Sequence, residues 1–213
     1  MLLKIISISL KKIVQILGLA ALPHKQQGEK MNISDKKYQT IYADPPWNEV
    51  GGGKIKRGAD KHYTVMKTKD IKALPVKEIA DENCWLFLWV TNNFLKDGIE
   101  VMEEWGFRYV TNFVWVKDRF GIGYYFRGQH ELCLFGVKGN LKPKYRNISS
   151  VIQAKRTKHS KKPIQARDMI DKMAYNPKIE LFARQRFENW DFWGNEIDEN
   201  TPVQQTIFKG ELF

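Results

Sequence analysis

The stretch Cys84–Val90, CWLFLWV, constrains the fold most, because it contains no polar side chain. A half-exposed strand or an amphipathic helix would interleave polar positions. A short unbroken apolar run fits a strand buried on both faces, as in a parallel sheet covered by helices. Four other segments read as strands: Tyr38–Ala43 (YQTIYA), Tyr109–Lys117 (YVTNFVWVK), Glu131–Val137 and Lys178–Arg184 (KIELFAR). Between them, Thr68–Ala80 reads as a helix capped by Thr68 and interrupted at Pro75. Asn92–Trp105 reads as a helix closed by Gly106, and Pro163–Tyr175 as one opened by its proline. Gly51–Asp60 and Asp118–Gln129 read as Gly-rich loops, Arg146–Lys162 shows no period, and Trp190–Ile197 reads as an aromatic turn. Strands alternating with helices indicate an α/β sheet of mixed or mostly parallel type. In such sheets ligands gather at the carboxyl ends of the strands.

A length of 213 residues argues for one domain. Hydrophobic residues at 43% and charged residues at 28% exclude a disordered or collagen-like chain. Lys and Arg number 35 against 24 Asp and Glu, a net charge of +11 that points to a polyanionic partner, most often nucleic acid. Cys84 and Cys133 both lie inside apolar runs, which excludes a disulfide scaffold. His24, His62, His130 and His159 are scattered, with no CxxC or HxxxH spacing, so no metal site is expected. No run reaches the roughly 18 apolar residues of a membrane span, so no membrane partner is expected. Residues 1–30 read as an N-terminal extension, or as the product of a start placed ahead of Met31. The domain then occupies residues 37–197, and 198–213 form a tail.

The sharpest chemical feature is Asp44-Pro45-Pro46-Trp47, directly after the first strand. Two successive prolines fix two φ angles and remove two donors, leaving a stiff turn. Asp44 stands at a strand's carboxyl end beside a rim of carbonyl acceptors and an indole. That set suits a planar group bearing an amine: the carboxylate and a proline carbonyl accept its N–H groups, and the ring stacks on Trp47. An ordinary capped turn with a packed Trp is the plain alternative.

With its companions this tetrapeptide resembles the MT-A70-type adenine-N6 methyltransferases. The ordered matches are Lys61-His62-Tyr63, Leu74-Pro75-Val76, Leu86–Thr91, Trp105-Gly106-Phe107, Phe113–Lys117, Gly128–Leu132 with Gly136–Gly139, His159–Pro163, Glu180–Arg184, and Trp190 to Trp193–Glu196. The resemblance implies a single-domain, Rossmann-like fold binding S-adenosylmethionine, with the catalytic motif ahead of the cofactor motif in permuted order. Asp44, Pro45, Pro46 and Trp47 are then catalytic. Lys162 and Arg184 neutralise the methionine carboxylate, Asn195 and Glu196 hold the ribose or adenine side, and Ala43, Asp44, Glu180 and Phe182 complete the cofactor site. Hydrogen bonds from N6 of adenine to Asp44 and the Pro45 carbonyl would make that nitrogen more nucleophilic toward the sulfonium methyl. The base must be flipped out or already single-stranded, with Trp47 and Tyr63 as stacking partners.

Lys54, Arg57, His62 and Tyr63 after the catalytic turn, and Arg127 and His130 beside the Gly-Tyr-Tyr-Phe loop, are the expected substrate contacts. The sequence lacks the zinc-finger region of the eukaryotic RNA writer, so a compact prokaryotic or phage enzyme acting on DNA in the cytoplasm is expected, rather than one acting on RNA. A non-catalytic nucleic-acid-binding partner subunit is the different-class alternative. A homodimer and a partner subunit both remain open.

Overall fold

The computed structural model describes residues 36–48, 65–121, 123–156, 161–194, 196–197 and 200–204. Residues 1–30 lie outside the described residues, as do Lys54, Arg57, His62, Tyr63 and Asn195.

The described chain folds as a mixed α/β sheet with helices on both faces. In chain order the elements are β1 (Tyr38–Ala43), α1 (Thr68–Lys72), α2 (Val76–Ile79), β2 (Ala80–Val90), a 3-10 turn (Asn92–Phe94), α3 (Leu95–Glu104), β3 (Arg108–Lys117), β4 (His130–Lys138), β5 (Val151–Ala154), α4 (Ile164–Met173), β6 (Lys178–Leu181), β7 (Arg186–Phe187), β8 (Asp191–Trp193) and β9 (Val203–Gln204). Seven strands form the main sheet in the order β5-β3-β4-β2-β1-β6-β8. Every pairing is parallel except the two made by β4, which runs against β2 and β3. β7 and β9 pair separately, so residues 203–204 of the tail lie alongside the segment after β6.

The unbroken apolar run of β2 is explained by its two faces. Trp85, Phe87 and Trp89 join Tyr42, Phe113, Trp115, Cys133 and the α4 residues Ala166, Met169 and Ile170 in one buried cluster. Leu86, Leu88 and Val90 face the other way, where Val101 and Met102 of α3 and the adjacent Trp105 and Phe107 are also buried. A Cβ on Gly98 of α3 would stand 2.4 Å from Val90, and one on Gly136 of β4 would stand 2.6 Å from Met102, so helix and sheet pack in close contact there. Both cysteines are free and buried, and burial pushes both thiols up.

The Thr68–Ala80 segment is interrupted at Pro75 as read, giving two short helices, because Pro75 removes the N–H a continuous helix would need. Three other local readings differ from expectation. Thr68 is the first helical residue and not the cap; its hydroxyl bonds Asp97 of α3 at 2.7 Å. The aperiodic stretch 146–162 contains β5, and the aromatic turn contains β8. The α3 helix closes at Gly106 as read, with φ +83.

Candidate active site

Alternation along the strands places one set of charged side chains together. At the carboxyl edge of the sheet, Asp44 follows β1, Lys117 ends β3, Glu131 begins the reversed strand β4, and Glu180 lies in β6 beside Tyr42. Asp44, Lys117 and Glu131 are each two residues from a member of the α4-side cluster (Tyr42, Trp115 and Cys133), and Glu180 is in register with Tyr42, so all four point to the face that α4 covers. Lys162 stands just ahead of α4. Its ammonium lies 2.7 Å from Asp44 Oδ1 and 3.4 Å from Glu131 Oε2, and Lys117 lies 2.5 Å from Glu131 Oε1. The result is a row of alternating charge, Asp44–Lys162–Glu131–Lys117, each side chain between 14% and 19% exposed. Burial alone would push Glu131 up and Lys162 down. For Glu131 the two lysines outweigh it and hold the carboxyl below its usual range; for Lys162, Asp44 and Glu131 hold the ammonium above its own.

The proline turn is anchored at several points. The Asp44 N–H donates to Leu181 O at 3.5 Å, the Trp47 N–H to Pro45 O at 2.9 Å, and the Met66 N–H to Pro46 O at 2.8 Å. A carbonyl has two lone pairs, so Pro45 O can still accept a second donor. Trp47 differs from the expected base-stacking surface. It is buried, its indole N–H donates to Trp89 O at 2.9 Å, and its ring stacks on Phe94 at 5.3 Å. Its place is to brace the turn against the 3-10 turn after β2.

Beside Asp44 opens a cleft of about 260 Å³, lined among others by Tyr42, Lys162, Arg167, Glu180, Phe182 and Arg184. This is slightly below the roughly 300–1,000 Å³ of small-molecule sites. Five expected cofactor residues, Asp44, Lys162, Glu180, Phe182 and Arg184, therefore meet in one place. Ala43 is wholly buried within β1 and is not among the lining residues. Glu196 stands near the rim, where its Oε1 lies 3.3 Å from Arg184 Nε. Phe182 takes φ 60, unusual for a bulky side chain, and its ring meets Trp193 edge-on at 5.4 Å. Gly194 is required by close approach, since a Cβ there would lie 2.4 Å from Ala183 O. Arg127 and His130 lie exposed at the same sheet edge, on and beside a loop whose Tyr124, Tyr125 and Phe126 are also exposed. That loop is closed by hydrogen bonds between Lys117 and Gln129 and between Gly121 and Gly128.

Glu131, Lys117 and Arg167 were not among the candidate residues. For each a signal existed: an ionisable residue at the end of an otherwise apolar strand, or on the apolar stripe of a helix.

The MT-A70 family profile matches residues 38–196, a span that begins with β1 and ends on Glu196. The chain belongs to the MT-A70 family. It is similar to the type II methyltransferase M.MunI of Mycoplasma sp, with 38% identity over 81% of this chain and 84% of that protein. The catalytic subunit METTL3 of the N(6)-adenosine-methyltransferase of Homo sapiens is 30% identical over 76% of this chain, and the MT-A70-like protein of Drosophila melanogaster matches to the same extent. The chain spans only 28% and 27% of those two longer proteins. This MT-A70 chain is thus a methyltransferase whose family match coincides with the sheet, the proline turn and the cleft. Among the described residues, no helix is long and apolar enough to cross a membrane.

Proposed function

We propose that this MT-A70 methyltransferase methylates the N6 amine of adenine in DNA, with S-adenosylmethionine as donor, in the cytoplasm of a prokaryotic cell or phage-infected host. The observation that carries the reading is Asp44: a carboxylate at a strand's carboxyl end, on a two-proline turn, opening onto a charged cleft. The residues suit the donor. The cleft holds a buried Arg167 whose Nη1 has no partner among the described residues, three further cations, and two carboxylates, which match a zwitterionic amino-acid end and a ribose. When bound, S-adenosylmethionine supplies an electrophilic methyl group.

The chain's own part is positioning. Lys162 holds one Asp44 oxygen in place, and the lone pairs that remain can accept an N6 hydrogen. The Pro45 carbonyl accepts the second, so the amine is oriented by two acceptors on one stiff turn. Glu131 holds Lys162 from the other side, and Lys117 holds Glu131. The catalytic motif stands on β1 and the cofactor residues on β6, neighbours in the sheet though far apart in sequence, in keeping with permuted order. A base inside a duplex cannot reach Asp44, so the adenine must be extruded or unpaired.

DNA is favoured over RNA by M.MunI, which this chain matches along most of both lengths. RNA remains the second reading because METTL3 is also similar. The test is transfer of labelled methyl from S-adenosylmethionine to duplex DNA, single-stranded DNA and RNA in parallel, with products digested to nucleosides. N6-methyladenine in DNA, abolished by Asp44→Ala, is the expected result. Label in RNA alone would move the substrate assignment. Binding of the donor with no transfer to any nucleic acid would favour a partner-subunit role.

A further inference from the structure

Residues 118–129 leave β3 after Lys117 and enter β4 at His130, at the sheet edge that carries Asp44. Three consecutive rings project there: Tyr124 is 95% exposed, Tyr125 87% and Phe126 89%. Tyr124 and Tyr125 meet edge-on at 5.1 Å. The backbone that carries them is nonetheless fixed. The Lys117 N–H donates to Gln129 O at 2.8 Å, and Gln129 Nε2 donates back to Lys117 O at 3.0 Å. Further out, the Gly121 N–H donates to Gly128 O at 2.6 Å, and Arg127 Nε donates to Gly121 O at 3.0 Å. A Cβ on Gly123 would overlap Phe126 O, so the turn closes too tightly for a side chain at that position. The loop is a braced finger with an aromatic tip.

A single exposed ring needs no explanation, but three side by side forgo burial and call for an occupant. Rings this exposed rest on no neighbouring surface, so they form a convex tip and not a flat apolar patch. The charge around them identifies what they meet. Arg119 and Arg127 on the loop and Lys155 and Arg156 after β5 are all exposed. The Arg156 N–H donates to Asp118 Oδ1 at 2.9 Å, which ties the basic end of β5 to the foot of the loop. Cations flanking projecting rings match a nucleic acid, whose phosphates lie outside its base faces.

We propose that Tyr124, Tyr125 and Phe126 form a wedge that enters duplex DNA beside the target adenine and holds the stack open while that base is extruded toward Asp44. This rests on the DNA reading made above and makes the substrate a duplex. Extruding a base forfeits its pairing and stacking. An aromatic face in the gap restores stacking whatever the sequence, and apolar side chains inserted at a base step unstack and kink a duplex. The placement agrees. β4, which carries one foot of the loop, is two strands from β1 in the sheet, about 10 Å at the spacing of strands. That is close to the major-groove width of about 12 Å, so a tip seated at one base step leaves the extruded base within reach of the proline turn. The loop is also joined to the charged row, because Lys117 at its other foot pairs with Glu131.

The test is methyl transfer at saturating S-adenosylmethionine and saturating DNA. The same amplified, unmethylated DNA is offered native and heat-denatured, and the readout is the ratio of the duplex rate to the single-strand rate. Tyr124→Ala/Tyr125→Ala/Phe126→Ala should lower that ratio by roughly tenfold or more. Tyr124→Phe/Tyr125→Phe, which keeps all three rings, should retain the wild-type ratio. Thermal unfolding and sedimentation accompany both variants. An unchanged ratio in the alanine variant would overturn the inference, whether both rates fell together or neither did. A ratio lost in the ring-keeping variant would also overturn it, since the hydroxyl groups would then carry the effect. So would a wild type that methylates single strands alone, or an alanine variant that breaks up a wild-type dimer, which would make the tip a contact between copies of the chain. Wild type that labels no DNA in either form would instead remove the DNA assignment itself, and the inference with it.

Discussion

Replacing Glu131 by Gln tests whether the row of charges holds Asp44 in place. Glu131 is a largely buried carboxylate shared by two cations, with Lys117 at 2.5 Å and Lys162 at 3.4 Å. At an effective dielectric near 20, a unit pair about 4 Å apart is worth about 4 kcal/mol before desolvation. Removing one partner of a fully buried pair costs about 3–5 kcal/mol. Here the side chains are 15–19% exposed, Lys162 keeps Asp44, and Gln keeps an acceptor oxygen, so the net loss should be about 2 kcal/mol. For a domain of this length that is a fall in Tm of about 4–8 °C.

The pH dependence has a defined sign. Glu131 titrates below its usual range in the folded protein, so its contribution is present above the ordinary glutamate range and is lost as pH falls through the depressed value. The Tm gap between wild type and Glu131→Gln should therefore be full at neutral pH and close below about pH 4. Catalysis should suffer more than binding. With Lys162 held from one side only, kcat should fall by roughly tenfold or more, while donor affinity changes by less than about threefold. The assays are thermal unfolding across pH and methyl transfer at saturating donor. Full kcat together with a Tm within about 1 °C of wild type would refute the reasoning.

Other perturbations reach different parts of the structure. Gly194→Ala puts a Cβ 2.4 Å from Ala183 O, so stability should drop by about 1–3 kcal/mol in denaturant unfolding. Tyr124→Ala/Tyr125→Ala/Phe126→Ala removes three exposed rings, so Tm should hold while affinity for single-stranded DNA falls by about 1–3 kcal/mol per stacked base, read by fluorescence anisotropy. Glu180, raised to about 7, stabilises the ligand-free fold below the ordinary glutamate range and loses that contribution as pH rises through 7. Relative to Glu180→Gln, wild type should lose up to about 3 kcal/mol between pH 4 and 8 in unfolding free energy.

The long elements were legible in the sequence because burial on two faces leaves a direct mark. CWLFLWV could be read as a central strand since both of its faces meet helices. β5 was not, because only Ile152 of its four residues is buried and the strand exists by pairing with the end of β3. β8 read as a turn for the same reason: DFW is too short for a period, and its strand character comes from β6. Asp44 and Lys162 were both legible as candidates, but their contact was not, since it spans the whole sheet in sequence. The connection runs through Glu131, which the reversal of β4 brings to the same edge of the sheet. Trp47 shows the opposite limit: a motif position identifies the residue, and only packing shows that its ring is already engaged by Phe94.

The reversal of β4 has a consequence for catalysis that a fully parallel sheet could not reproduce. In a parallel sheet every strand delivers its last residue to the ligand edge and its first residue to the far edge. β4 runs the other way, so Glu131, near its start, arrives beside the ends of β2 and β3. Were β4 parallel, Lys138 would occupy that edge, and Glu131 would sit seven residues away, about 24 Å at the rise of a strand. Lys162 would then face Asp44 without a second anchor, and Lys117 would have no carboxylate. The same reversal turns the chain at the ligand edge, which is why the loop bearing Tyr124, Tyr125, Phe126 and Arg127 stands at the same sheet edge as the proline turn. One antiparallel strand thus supplies two things the proposed chemistry draws on from separate parts of the chain: a buried anion beside the lysine on Asp44, and an exposed aromatic and basic rim.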